Sequence, residues 1–125
     1  MINMDKIVVP LLDNNSLESK ISGHFGRAPY FGVVSLENSE IKESKIIANT
    51  SEHFGGRGKA AMNILELNPN AVVLLSCGPG AINAFQSRNI AVLTGKIESF
   101  NDAIKSYIED NLIELTEGCK TSHNH

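Results

Sequence analysis

Apolar residues along this chain form short runs separated by polar or glycine-rich segments, a pattern that predicts alternating strands and helices. Runs at residues 6–12, 71–76 and 90–93 predict three strands. The first is apolar and β-branched and the second is an uninterrupted apolar run, and both patterns are typical of strands covered on both faces. Residues 30–36 and 41–48 predict two further strands. Because only a short polar turn separates these two strands, we expect an antiparallel hairpin.

Helical spacing of apolar residues predicts three helices after the hairpin. They cover residues 59–67 and 81–87 and a segment that begins after Ser99. Asp102 follows Ser99 by three residues, which predicts a variant of the capping box at the start of the last helix. The apolar face of that helix is predicted to be a buried stripe of Phe100, Ala103, Ile104, Tyr107 and Ile108.

The order of these elements predicts one α/β domain, residues 1–116, followed by a flexible polar tail, residues 117–125. We expect a mixed five-stranded sheet with flanking helices. Pro10 has no N–H to donate, so the first strand is predicted to be interrupted or unpaired there. Ligands of such sheets bind beyond the carboxyl ends of the strands, where three loops of this chain are expected to meet.

Composition narrows the classes of function. The 125 residues contain 11 Lys and Arg against 14 Asp and Glu, for a net charge of −3. This balance argues against nucleic acid or an anionic membrane as the main partner. No apolar run approaches the roughly 20 residues that cross a bilayer, and the amino terminus has no signal-peptide pattern. We therefore expect a cytoplasmic protein whose cysteines, Cys77 and Cys119, are free thiols.

The loop after the first strand has the most distinctive composition. Gly23 and Gly26 flank a His-Phe pair that contains His24, and Arg27 follows. Glycine allows positive φ or the close approach of a ligand, and histidine is a common metal ligand or general base. The same pattern also fits a surface loop in which the histidine only caps a turn.

A second His-Phe-Gly sequence, at His53, precedes Gly55, Gly56 and Arg57. A glycine-rich turn that leads into a helix presents free N–H groups to an anion, and arginine adds a charge-assisted donor. The alternative interpretation is a glycine-rich hinge with solvated charges.

Cysteine also marks a candidate position. Cys77 ends an apolar run and begins the turn that contains Gly78. A thiol at a helix amino terminus has a lowered pKa, so Cys77 is predicted to be a metal ligand or nucleophile, unless it is only buried packing. Cys119, His123 and His125 are further donors, but they belong to the predicted flexible tail.

Together these motifs resemble the dinitrogenase iron–molybdenum cofactor biosynthesis family, the NifX/NafY-like domain also found at the carboxyl terminus of NifB. The resemblance covers about residues 6–110 and depends most on the stretch from Ile21 to Phe31. It implies a ribonuclease-H-like topology. It also implies a non-enzymatic protein that binds a labile iron–sulfur or iron–molybdenum-type cluster, or its precursor, and transfers it.

The resemblance also implies a site and partners. His24, His53 and Cys77 would be the metal ligands, although other members often have an apolar residue in place of Cys77. The partners would be the cluster and its donor or acceptor proteins, and the chain would be a monomer or a homodimer. The implied cluster-binding residues are Gly23, His24, Gly26, Arg27, His53, Gly55, Gly56, Arg57, Cys77 and Gly78.

Two other functions stay open at this point. Helix amino termini near Gly58 and Gly80 could make the chain a small-anion-binding regulatory module. Alternatively, Cys77 could be the nucleophile of an enzyme, with His24 or His53 as its base. The sequence has no third, orienting carboxylate at a recognisable spacing.

Overall fold

A computed structural model describes residues 4–49 and 64–115. This part of the chain is a mixed α/β fold built on one sheet, with strand order β3-β2-β1-β4-β5-β6. Strands β1, β4 and β5 are parallel to one another, and the other neighbouring pairs are antiparallel. The elements are β1 (Met4–Leu11), β2 (Tyr30–Glu37), β3 (Glu40–Ala48), β4 (Ala71–Val73), α1 (Pro79–Gln86), β5 (Ala91–Thr94), α2 (Phe100–Ile108) and β6 (Ile113–Glu114).

The five predicted strands and the β2–β3 hairpin are confirmed, but the predicted strand count is wrong because the sheet has a sixth strand. In β6, Ile113 lies opposite Thr94 of β5, and the N–H of Leu115 donates to the carbonyl of Val92 at 2.7 Å. A strand of two residues is too short to show alternation, so the sequence pattern does not reveal it. Of the predicted helix at 59–67, residues 64–67 are described, and they are helical.

The predicted interruption of β1 at Pro10 is wrong. Pro10 lies opposite Phe31, and the pairing of β1 with β2 continues to Leu11. The Pro10 carbonyl accepts a hydrogen bond from the N–H of Ser22 at 3.0 Å, on the side away from β2. Within a strand, the nitrogen and the carbonyl of one residue point to the same side, so the missing N–H costs the β1–β2 ladder nothing. On its other side β1 pairs with β4 only through Ile7 and Val8.

The sheet separates two apolar clusters, one under α1 and the other under α2. Ile82 and Phe85 of α1 pack against one face, and Phe100 of α2 packs against the other. The predicted capping box is present, because Asp102 N–H donates to Ser99 Oγ at 3.1 Å and Ser99 N–H donates to Asp102 Oδ2 at 3.3 Å. The predicted stripe of α2 is correct for its first three residues, whereas Tyr107 is half-buried and Ile108 is exposed.

No helix within residues 4–49 and 64–115 is long and apolar enough to cross a membrane.

Candidate functional site

The chain that follows β1 doubles back beside it. Leu12 N–H donates to the carbonyl of Lys20 at 2.7 Å, and Ser22 N–H donates to Pro10. Leu11 and Ile21 form an isolated antiparallel bridge. The loop that contains His24 therefore begins where β1 ends, on the side that faces β4. We call this part of the molecule the carboxyl end of the sheet.

Ser22 holds the backbone of His24 in place. Its hydroxyl donates to the carbonyl of His24 at 3.0 Å and accepts from the N–H of His24 at 3.1 Å. Ser22 itself is only 3% exposed. One buried side chain thus satisfies both peptide groups of a residue whose own side chain is exposed.

Phe25 anchors the same loop to the core. It begins a 3-10 turn, Phe25–Arg27, and its ring is buried between Phe31 and Phe85, with ring centroids 5.6 and 5.5 Å away. His24 and Arg27 on either side are exposed. The packed ring fixes the loop while the imidazole and the guanidinium remain available to a ligand.

The two glycines of this loop are not required by the protein's own packing. Neither Gly23 nor Gly26 has a positive φ, and a Cβ added at either position would meet no heavy atom within 4 Å. The interpretation based on positive φ is therefore wrong for these glycines. What remains is open space beside the backbone, which is where a close-lying ligand would need glycine.

A second loop lies against this one. The hydroxyl of Ser76 donates to the carbonyl of Gly23 at 3.0 Å. Because Ser76 precedes Cys77, and Gly23 precedes His24, this bond brings together two of the three loops that the sequence predicts at the carboxyl end of the sheet.

Burial controls the chemistry of Cys77. The side chain is partly buried and packs against the apolar cluster under α1. Desolvation raises the pKa of the thiol from 9.0 to about 11. The predicted lowering of this pKa is wrong, because partial burial disfavours the charged form of the thiol. Cys77 is a protonated thiol at neutral pH.

The amino terminus of α1 offers little to an anion. Gly78 occupies the N-cap position without a side-chain hydrogen bond, and Pro79 has no N–H. The N–H groups of Ala81 and Ile82 both donate to the carbonyl of Gly78 at 3.1 Å. In the first turn, the N–H group of Gly80 is therefore the one still available to an anion. Anion sites at helix amino termini use several such groups together.

Part of the predicted site lies outside the described residues. That part comprises His53, Gly55, Gly56 and Arg57, together with the tail residues Cys119, His123 and His125. Within the ranges that are described, no three His, Cys, Asp or Glu side chains are grouped closely enough to hold a metal ion. Of the predicted metal ligands, His24 and Cys77 lie within the described ranges, as does the predicted cluster-binding residue Arg27.

The sequence analysis assigned no role to two serines: Ser22, which bonds the backbone of His24, and Ser76, which bonds Gly23. Ser22 stands two residues before His24, a spacing that allows a hydroxyl to bond the backbone locally and could have revealed its role. Ser76 gives no such signal, because its partner Gly23 is 53 residues away.

Comparisons with known proteins agree with this fold. An uncharacterized protein of Methanocaldococcus jannaschii is 34% identical over 114 residues, which cover 89% of this chain and 92% of that protein. The crystal structure of PH0822 matches with a TM-score of 0.76 and 28% identity, over 88% of this chain and 96% of that one. The apo form of the orange protein from Desulfovibrio gigas shares the fold, with a TM-score of 0.74 and 21% identity over 90% of this chain and 94% of that one.

The family comparison covers nearly all of the described residues. A family model described as dinitrogenase iron-molybdenum cofactor matches residues 5–110, a range that includes the His24 loop, the Cys77 turn and both helices. The chain belongs to this dinitrogenase iron–molybdenum cofactor family.

Proposed function

We propose that this protein binds an iron–sulfur or iron–molybdenum-type cluster, or a precursor of one, as cargo and passes it from a donor protein to an acceptor protein. The observation that carries the proposal is the hydrogen bond from Ser76 to Gly23, which links the Cys77 turn to the His24 loop at the carboxyl end of the sheet. Family membership supports the choice of cargo.

The donor types fit such a cargo. Thiolate sulfur is a soft ligand that iron–sulfur clusters favour, and imidazole nitrogen binds iron well. The exposed guanidinium of Arg27 adds positive charge beside a cargo whose sulfides are anionic. His24 and Cys77 would anchor the cargo with few bonds. Because His24 is exposed, the cargo would stay accessible to an acceptor, and binding would be labile.

A transfer role fits Cys77 better than catalysis does. A cysteine nucleophile needs a thiolate at neutral pH, but burial raises the pKa of Cys77 to about 11. A metal can displace that proton when it binds, so a protonated thiol is still a usable ligand. We therefore propose a non-enzymatic role, in the cytoplasm, where thiols stay reduced. The strand order also supports the ribonuclease-H-like topology that the family resemblance implies.

Cluster loading tests this proposal. The protein is incubated without oxygen with ferrous and ferric iron and sulfide, with and without molybdate, and desalted. Iron and acid-labile sulfide are then measured per chain. We compare the wild type with His24→Gln, Cys77→Ser and the double variant, and Cys119→Ser is the control for loss of a thiol elsewhere. We expect the wild type and the control to retain iron and sulfide together, and the double variant to lose both.

Two results would count against the carrier function. Equal uptake by the wild type and the double variant would remove His24 and Cys77 from the site. Thermal stabilisation by phosphate or molybdate alone, without any retained iron, would favour the small-anion-binding module instead.

A further inference from the structure

Strand β3 is the terminal strand of the sheet, and no other described strand pairs with its outer edge. Among the described strands it is hydrogen-bonded to β2 alone. Residues 40–45 are all exposed. An open strand edge carries unpaired N–H and C=O groups that can bond to a further strand. The side chains of β3 therefore determine which further strand can pair with this edge.

Three charged residues of β3, namely Glu40, Glu43 and Lys45, have no ionic partner within residues 4–49 and 64–115. Lys42 is paired with Glu37, with Nζ and Oε1 3.3 Å apart, whereas Glu43 and Lys45 form no ion pair in those ranges. Glu43 lies opposite Ser35 and Lys45 lies opposite Val33. Because these positions are two residues apart on each strand, Glu43 and Lys45 lie on the same face of the sheet.

We propose that β3 pairs antiparallel with β3 of a second copy of this chain, with the two-fold axis at Ser44. The two six-stranded sheets then form one continuous sheet. Ser44 is the midpoint of β3 (Glu40–Ala48). A two-fold axis normal to a sheet keeps each side chain on its own face, so each Glu43 lies opposite Lys45 of the other copy, and two opposite-charge pairs form.

Neighbouring registers are less favourable. An axis at Glu43 sets two carboxylates opposite each other, and an axis at Lys45 does the same with two ammonium groups. An axis at Ile46 has no opposite-charge pair. The β2–β3 ladder also shifts register between Ser35 and Leu36, which breaks the alternation near Lys42 and limits the new ladder to the residues around Ser44. The opposite charges of Glu43 and Lys45 thus favour the register centred on Ser44 and disfavour the neighbouring registers.

The contact is small, so the dimer should depend on concentration and salt. A short pair of strands buries less area than the interfaces of stable complexes. Its charge pairs are exposed, and added salt screens such pairs.

This geometry separates the two candidate sites. Leu11, Tyr30 and Ala48 lie side by side across β1, β2 and β3, so β3 ends at the carboxyl end of the sheet. Antiparallel pairing places the Ala48 end of one copy beside the Glu40 end of the other. The two sites then lie at opposite ends of the dimer, and each copy holds its own cargo. The dimer itself does not depend on the proposed function.

Sedimentation equilibrium over a range of protein concentrations tests the dimer. Lys45→Glu and Glu43→Lys each replace both charge pairs by like-charge pairs, and we expect each to raise the dissociation constant by at least about tenfold. Lys105→Glu, at an exposed position on α2, changes the net charge as Lys45→Glu does and should leave dimerisation unchanged.

Complementation identifies the register. Mixed in equal amounts, the two single variants should form a heterodimer, because the charges opposite each other then have opposite sign. The double variant Glu43→Lys/Lys45→Glu should dimerise with itself for the same reason. A monomeric wild type at all concentrations would overturn the proposal. A dimer that neither single variant weakens would also overturn it, because the contact would lie elsewhere or have another register.

Discussion

Gly32 of β2 lies directly under the ring of Phe100, the first residue of α2. A Cβ added at Gly32 would stand 2.5 to 2.8 Å from three atoms of that ring, closer than carbon atoms can pack. Phe100 is 1% exposed, so its ring lies within the core and any shift of it must displace or repack its neighbours. We expect Gly32→Ala to lower the free energy of unfolding by about 1–3 kcal/mol, measured by urea denaturation.

Gly26→Ala is the matched control for this prediction. It adds the same methyl group at a position where no heavy atom lies within 4 Å. We expect its unfolding midpoint to equal that of the wild type. If Gly32→Ala were as stable as Gly26→Ala, the Phe100 ring could not lie so close to Gly32.

The raised pKa of Cys77 predicts how the thiol reacts with pH. Only the thiolate is alkylated, so below the pKa the rate should rise about tenfold per pH unit. In a Cys119→Ser background, the iodoacetamide rate should still be rising at pH 9 and level off only near pH 11, because burial raises the pKa to about 11. An inflection below pH 9 would contradict the burial of Cys77.

The raised pKa of Cys77 should also make the binding of a metal depend on pH. Ligation through Cys77 removes the thiol proton, so a higher pH should favour uptake of iron between pH 7 and 9. With Cys77→Ser, this pH dependence should become smaller, because the thiol proton is no longer released.

At the scale of elements, the Ser76 side chain is the link between the β1 loop and the β4 turn. Ser76→Ala removes its hydrogen bond to Gly23, which should destabilise the fold by about 0.5–1.5 kcal/mol. The freed loop should show faster amide hydrogen exchange at residues 23–28. We also expect weaker retention of iron, since the His24 loop would no longer be held beside Cys77.

Ser87→Ala provides the comparison. Its hydroxyl donates to the carbonyl of Ala84 at 2.9 Å, an exposed bond of the same type at the end of α1. A similar loss of stability is expected, but without faster exchange at residues 23–28. If Ser76→Ala, like Ser87→Ala, left the hydrogen exchange at residues 23–28 unchanged, Ser76 would have no role in holding the His24 loop.

Local patterns in the sequence predict most of the elements and only part of the site. Contiguous apolar residues predict strand β1, and two such runs joined by a polar turn predict the β2–β3 hairpin. The capping residue Ser99 predicts the start of α2. No local pattern predicts β6, because its two residues form a strand only by pairing with β5 in the folded protein. Similarly, the neighbourhood of Cys77 suggests a lowered pKa, but burial among residues distant in sequence raises it.

At the scale of the whole molecule, the candidate site adjoins one of the two cores, the apolar cluster under α1, against which Cys77 also packs. Phe25 reaches from the His24 loop into the cluster under α1, whereas α2 packs on the opposite face. The loop is thus fixed at one buried ring while its polar residues stay exposed. A cargo can therefore reach His24 and Arg27 while the Phe25 ring keeps the loop in place, which suits a carrier.

The relation between dimer and cargo gives a prediction for the assembled protein. If each copy holds its own cargo, the iron bound per chain should be the same for the wild type and for monomeric Lys45→Glu. The reason is geometric: antiparallel pairing at Ser44 places the two His24 loops at opposite ends of the joined sheet, too far apart for one cluster to bridge them. Iron and sulfide per chain, measured after loading at concentrations where the wild type is dimeric, test this directly. A cluster shared across a two-fold axis would instead make loading fall together with dimerisation in Lys45→Glu and recover in the Glu43→Lys/Lys45→Glu double variant.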